Sequence, residues 1–279
     1  MPDNIVSILM LGDIVGEPGL KALEDTLPAL IKRFEADFVT ANGENSSILG
    51  MTEQDARRIF AAGVDVITSG NHVWEKRAFW PFIDSEKRML RPANYPSPAV
   101  GRGFVLVKKN NFSFLVINLQ GREYMTPIDC PFRAFDRVIE NYGSIDDELR
   151  GLSMARAETP VIIVDFHAES TKEKEALGFY VDGRASVFAG THTHIQTADE
   201  KILPQGTAYI SDLGMTGVLN GIIGMDKTIC LERAKSQILY PLQSAEGAAS
   251  IQGVCVQVIL SAGSEYTPRA ASIERFSAD

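Results

Sequence analysis

The chain has 279 residues, 45% of them hydrophobic and 23% charged, and a formal net charge of −9. These proportions exclude a disordered, fibrous or membrane-embedded chain, and the acidic balance excludes a nucleic-acid binder that tracks phosphates with a basic surface. At roughly 150 residues per domain the length allows one large domain or two small ones; with no linker, repeat or low-complexity stretch, residues 1–279 read as a single domain.

Ile5–Leu11 is an apolar run that reads as a buried strand, too short for a signal or membrane segment and ended by Gly12-Asp13. Lys21–Phe34 has the spacing of an amphipathic helix, Phe38–Ala41 reads as a strand, Thr52–Ala62 as a helix and Val64–Thr68 as a strand. This βαβαβ order predicts a parallel sheet. Thr52 and Asp55 have capping-box spacing, and Gly63 stands where a glycine ends a helix. Phe104–Lys109 and Phe112–Leu119, joined by Asn110-Asn111, predict an antiparallel hairpin. Pro127–Pro131 opens a helix over Phe132–Tyr142. A strand at Val161–Asp165, a helix at Lys172–Val181 and a strand at Ser186–Ala189 restore the alternation. Strands follow at Thr207–Ile210, Gly253–Leu260 and Ala270–Arg275, the last two with no helix between them. A parallel start, an inserted hairpin and an antiparallel close predict an α/β fold of two packed mixed sheets with helices outside.

Cys130, Cys230 and Cys255 are far apart with no CxxC pair, which excludes a disulfide framework or thiolate zinc site and points to a reducing, cytoplasmic setting. The four histidines are more informative. His72, His167, His192 and His194 all fall just after predicted strands. Asp13 follows the first strand and Glu44 the second. Ligand sites in α/β sheets gather outside the carboxyl ends of strands, so these side chains are delivered to one rim.

Imidazole and carboxylate without thiolate suit zinc, manganese or iron in a hydrolytic centre. His192 and His194, two apart on an extended stretch, are expected to point to the same side. Asn71 and His72 are adjacent and are expected to divide their work, the Asn71 amide oxygen as ligand and His72 as an acid over the substrate. Asp13, Glu44, Asn45, Asn71, His167, His192 and His194 then make seven candidate ligands, too many for one tetrahedral ion and suited to two metals sharing a carboxylate. Asp13 has a capping role as its alternative, and Asn45 an Asx turn. Glycines 12, 16 and 19 do not make GxGxxG. Phe79, Trp74 and Trp80 are expected to pack. Arg122, after a strand, is the candidate substrate contact, against the reading of a solvated surface arginine.

The ordered set GD (12–13), NGEN (42–45), GNH (70–72), DFHAE (165–169) and GTHTH (190–194) resembles the calcineurin-like metallophosphoesterases, and more narrowly their bacterial YmdB-like branch of cyclic-nucleotide phosphodiesterases. DCPF (129–132), DGR (182–184) and ISDLGMTG (210–217) extend the resemblance over nearly the whole chain. The superfamily's opening DxH is absent, because Ile14 and Val15 follow Asp13, and Glu44 with Asn45 replaces its GDxxD acid; both are features of the narrower branch. The resemblance implies a four-layer αββα sandwich. It implies one metal on Asp13, Glu44, Asn45 and His194 and another on Glu44, Asn71, His167 and His192, with His72 catalytic. The expected cofactors are two divalent or trivalent transition-metal ions, iron or manganese ahead of zinc.

The expected reaction is hydrolysis of 2′,3′-cyclic nucleotides, with room for other phosphodiesters, by metal-activated hydroxide with His72 as general acid. The alternatives are a metal-dependent amidohydrolase, which also uses HxH, and a nucleotide or metal sensor signalling through a partner. The expected partner is a small phosphodiester, with no membrane and no long nucleic acid; a homo-oligomer is left open.

Overall fold

The computed structural model describes residues 4–145, 159–260 and 267–279. In chain order the strands are β1 (Asn4–Leu11), β2 (Asp13–Ile14), β3 (Phe38–Asn42), β4 (Val66–Thr68), β5 (Phe104–Lys109), β6 (Phe112–Gln120), β7 (Val161–His167), β8 (Val187–Thr191), β9 (Lys201–Ile202), β10 (Ala208–Ile210), β11 (Met215–Gly217), β12 (Ser250–Leu260) and β13 (Arg269–Ala278). The α-helices are α1 (Gly16–Arg33), α2 (Glu53–Ala61), α3 (Trp80–Ser85), α4 (Pro131–Ile145), α5 (Thr171–Val181) and α6 (Lys227–Ser236).

One sheet has the order β2-β11-β12-β1-β3-β4 with β13 added on β12, and the other has the order β5-β6-β7-β8-β10-β9. Strands β1, β3 and β4 run parallel, as do β6, β7, β8 and β10. Alternation along each strand assigns its side chains to layers. Ile8 and Met10 of β1 and Val116 of β6 enter one core, between the sheets, where Phe38 stacks on Phe114 with centroids 4.1 Å apart. Leu9 and Leu11 face the other way onto Leu20, Leu23 and Leu27 of α1 and Ile59 of α2. Ile117 and Phe166 face outward from the second sheet onto Phe135 of α4 and Leu177 of α5. The result is the expected αββα order of layers.

Most long elements stand where the sequence predicts them. The Thr52 hydroxyl accepts from Asp55 N and the Asp55 carboxylate accepts from Thr52 N, completing the capping box of α2. Asn110 and Asn111 have φ of 49° and 67°, the left-handed pair of a two-residue hairpin turn. The structure adds β2, β9, β11, α3 and α6, which periodicity did not suggest. Strands of two or three residues have no readable period, and no residue of α6 is buried. Phe79 is buried, and the Trp74 ring meets Tyr95 edge-on, in keeping with packing roles.

Replacing Phe38 by Ala removes a ring from the core between the two sheets. The expected loss is about 3–5 kcal/mol in urea unfolding, with an unchanged far-ultraviolet spectrum at zero denaturant.

Candidate metal centre

The carboxyl ends of the parallel strands in both sheets meet at one rim. Asp13 opens β2 directly after β1, Glu44 lies two residues past β3, Asn71 and His72 follow β4, His167 ends β7, and His192 and His194 follow β8. Gly70 permits this convergence: a Cβ there would lie 2.0 Å from Cδ2 of the His167 ring.

Three donor atoms gather around Nε2 of His167. Glu44 Oε1 is 2.8 Å away, His192 Nδ1 3.0 Å and Asn71 Oδ1 3.2 Å. Glu44, His167 and His192 present ligand atoms all within 4.8 Å of one another, a group able to hold a metal ion. Beside it lies a second set. Asn45 Nδ2 is 3.2 Å from His194 Nε2 and 3.5 Å from Asp13 Oδ1, and His194 Nε2 is 3.7 Å from that same oxygen. Asp13 and Glu44 are both fully buried. Helix α1 begins without a side-chain cap, so Asp13 serves the rim and not the helix. The Asn45 amide is likewise turned into the site, while its backbone carbonyl makes the turn to Ile48.

His192 and His194 depart from what their HxH spacing predicts. They do not lie on an extended stretch pointing to the same side: their φ values are 107° and 62°, both left-handed, and the twist sends His192 toward His167 and His194 toward Asp13. Asp13 Oδ2 accepts from His192 N at 3.1 Å, and Asp212 Oδ2 accepts from Thr193 N at 3.1 Å. Asp212 is itself paired with Lys174 Nζ at 2.7 Å, both side chains being 2% exposed.

Each clustered imidazole has its other nitrogen tied outside the cluster. His167 Nδ1 lies 3.0 Å from Thr191 Oγ1, whose hydroxyl donates to Asp165 Oδ1 at 2.8 Å, so the imidazole Nδ1–H is the donor. The Thr68 hydroxyl donates to the other Asp165 oxygen. His192 Nε2 faces Glu169 Oε2 at 3.2 Å, and His194 Nδ1 donates to the carbonyl of Ile223 at 2.9 Å. Such outer partners fix tautomer and orientation and leave the inner nitrogen with a free lone pair, as a metal ligand requires.

The field asks for a cation. Burial pushes Asp13 up, against the pull of His194 and His167. Burial also works to raise Glu44, but His167 and then His72 outweigh it and bring it down to about 2. Burial lowers His167, and Glu44 followed by Asp13 outweighs that, raising it to about 9; burial and the adjacent His167 push His192 down to about 3. The carboxylates thus draw a proton onto one imidazole where a metal ion would supply the charge instead. Glu44 Oε1 is buried with no hydrogen-bond partner. An orphaned carboxylate oxygen amid two imidazole nitrogens and an amide oxygen fits a metal ion.

His72 stands at the mouth. Its backbone N–H donates to Glu44 Oε2 at 3.0 Å, its ring lines the cavity, and its Nδ1 lies 3.4 Å from Glu75 Oε1. Arg122 is not among the side chains lining that cavity; its backbone N–H donates to Glu173 and its Nε lies 3.9 Å from Glu173. The sequence reading did not single out Asp165, Glu169 or Thr191, although all three stand within the quoted DFHAE and GTHTH motifs. It also missed Lys174 and Asp212, whose pairing only the tertiary structure reveals.

The chain matches the family described as YmdB-like protein over residues 9–276. It is 42% identical to a Bacillus subtilis (strain 168) protein named 2′,3′-cyclic-nucleotide 2′-phosphodiesterase, over 96% of this chain and 95% of that one. The crystal structure of a hypothetical protein from Thermus thermophilus superposes with a TM-score of 0.82 at 35% identity, covering 98% of each chain. That of a novel phosphatase from Mycoplasma pneumoniae gives 0.85 at 26% identity, over 99% of this chain and 94% of the other. A 5′-nucleotidase precursor, also from Thermus thermophilus, is 12% identical with a TM-score of 0.55; it covers 99% of this chain and 54% of that one and shares the fold alone.

Thr191→Val keeps the volume and removes the hydroxyl between Asp165 and His167. Manganese affinity, measured by chelator competition, is expected to fall 10–100-fold, and Thr191→Ser is expected to retain it.

Proposed function

The chain belongs to the YmdB-like protein family, and from that premise we propose that it is a metal-dependent phosphodiesterase that opens the 2′ ester of 2′,3′-cyclic nucleotides. The observation that carries this reading is the orphaned Glu44 oxygen set among His167, His192 and Asn71, beside the second donor set of Asp13, Asn45 and His194. The Bacillus subtilis relative supplies the substrate class, and other phosphodiesters remain candidate substrates.

We assign one metal ion to Asp13, Glu44, Asn45 and His194 and the other to Glu44, Asn71, His167 and His192, with Glu44 shared. Divalent ions held there supply Lewis-acid polarisation of a phosphoryl group and activation of water near neutral pH. The nitrogen and oxygen donors, without thiolate, favour iron or manganese, with zinc next. In the hydrolysis a water oxygen adds to phosphorus, the P–O2′ bond breaks, and O2′ needs a proton. His72 is the residue placed to give it. Glu75 meets its Nδ1, which leaves Nε2 for the substrate, and its backbone N–H holds Glu44 in place. General-acid catalysis of this kind contributes roughly 10²–10⁴-fold. The product keeps the phosphate on O3′.

The named relatives are a phosphodiesterase and a phosphatase, so the sensor alternative gains no support from them. Nor does any observation favour the amidohydrolase. Cys130, Cys230 and Cys255 are unpaired, which suits the cytoplasm, and among the described residues no helix is long and apolar enough to cross a membrane. We infer a small-molecule substrate; Arg122 is retained as a candidate contact only for a substrate reaching beyond the cavity.

With manganese or iron added, the protein is expected to convert 2′,3′-cyclic nucleotides to 3′-monophosphates; absence of turnover on every cyclic isomer, with metal bound, rules the reading out. His72→Ala is expected to keep both metals by elemental analysis and lose roughly 10²–10⁴-fold in kcat. His192→Ala is expected to lose metal.

A further inference from the structure

The cavity of about 510 Å³ over the donor cluster has a second wall that the metal site does not use. It is built by residues 222–242: Ile222, Ile223 and Met225 from the loop before α6, Cys230 and Arg233 from α6, and Leu242 beyond it. Ile222 and Ile223 are exposed despite being apolar, and α6 buries none of its residues. Arg233 is the single lysine or arginine among the described residues lining the cavity. One of its five N–H donors is committed, Nη1 donating to the carbonyl of Tyr240 at 2.7 Å, and that bond holds the guanidinium at the wall. The wall is also registered to the chemistry, because the Ile223 carbonyl receives the hydrogen bond from His194 Nδ1.

Resting on the phosphodiesterase reading above, we propose that this wall is the nucleoside subsite, with Arg233 stacking on the base and the aliphatic side chains covering the sugar and the base face. The donor cluster and His72 account for the phosphate at the opposite wall. What is left of a cyclic nucleotide is a sugar and a planar base with two π-faces, and a planar guanidinium with aliphatic neighbours matches those faces. Apart from Arg233, whose guanidinium is given to stacking, the wall from 222 to 242 presents no amide or hydroxyl side chain to the cavity that could read the edge of a base. Binding therefore follows the shape and π-face common to all four bases, and the enzyme is indifferent to base identity.

The test compares metal-loaded wild type, Arg233→Ala and Ile222→Ser on the four 2′,3′-cyclic nucleotides and on 1,2-cyclic glycerol phosphate. That last substrate keeps the five-membered cyclic diester and lacks the nucleoside. Wild-type kcat/KM is expected to agree within about fivefold across the bases. In Arg233→Ala the ratio of kcat/KM for nucleotide over cyclic glycerol phosphate is expected to fall at least tenfold, through KM, and in Ile222→Ser about threefold. Affinity for adenosine 3′-phosphate, measured by calorimetry against inorganic phosphate, is expected to drop in parallel. If both substrates lose activity equally, Arg233 acts on the phosphate and the proposal fails; it fails too if neither variant moves the ratio, or if one base is preferred by more than a hundredfold. Wild-type protein that binds adenosine 3′-phosphate through Arg233 but turns over nothing overturns the phosphodiesterase reading and leaves the subsite standing.

Discussion

Two buried carboxylates with no permanent cation beside them set the terms for this protein. Asp13 and Glu44 are wholly removed from water, and the basic groups against them are imidazoles. Taking an ionised carboxylate out of water costs several kcal/mol even after relaxation, and an imidazole offsets that only while it holds a proton. His167 and His192 stand 3.0 Å apart and cannot both be protonated without strong repulsion. A bound metal ion resolves the conflict, because it neutralises the carboxylates and uses the lone pairs that a proton would block. The Thr191–Asp165 relay, Glu169 and the Ile223 carbonyl all follow from that requirement, since each holds a ring so that one chosen nitrogen faces inward.

The bend at His192 and His194 shows how firmly this arrangement is held. Left-handed φ at two non-glycine residues is a strained state that persists only where the surroundings determine it. The surroundings here are carboxylates: Asp13 takes the His192 N–H, and Asp212 takes those of Thr193 and Gly214. Lys174 neutralises Asp212 from inside α5. An apolar pair of equal volume would spare the desolvation of that ion pair but would strand two backbone donors, so its worth lies in shaping the loop.

Much of this was legible in the sequence, for identifiable reasons. The strands that carry the site are continuous apolar runs, and their ends are marked by histidine, aspartate or glutamate, so the rim was visible before the fold. The hairpin was visible because Asn110-Asn111 is a chemical signature of its turn. What escaped has an equally physical cause. The His192–His194 stretch looked extended because alternation is the default reading of HxH, and the force that twists it comes from Asp13 and Asp212, distant in the chain. Helix α6 escaped because it buries nothing and so shows no stripe, and Arg233 went unnoticed with it. Arg122 drew attention by following a strand, yet its neighbour Glu173 holds its backbone away from the cavity.

The order of strands in the first sheet bears on how the chain reaches this state. Strand β1 is central, with β3 on one side and β12 on the other, and its register runs Asn4 against Leu260. Contacts of such span close a very large loop, and they make folding slow. During synthesis the apolar β1 leaves the ribosome with one of its two edges lacking a native partner until β12 (Ser250–Leu260) follows. An apolar strand held open for that interval is a site for mispairing with other nascent chains. Strand β12 therefore closes the open edge of β1, and metal capture, which needs residues from 13 to 194, cannot begin until the loop after β8 has been made.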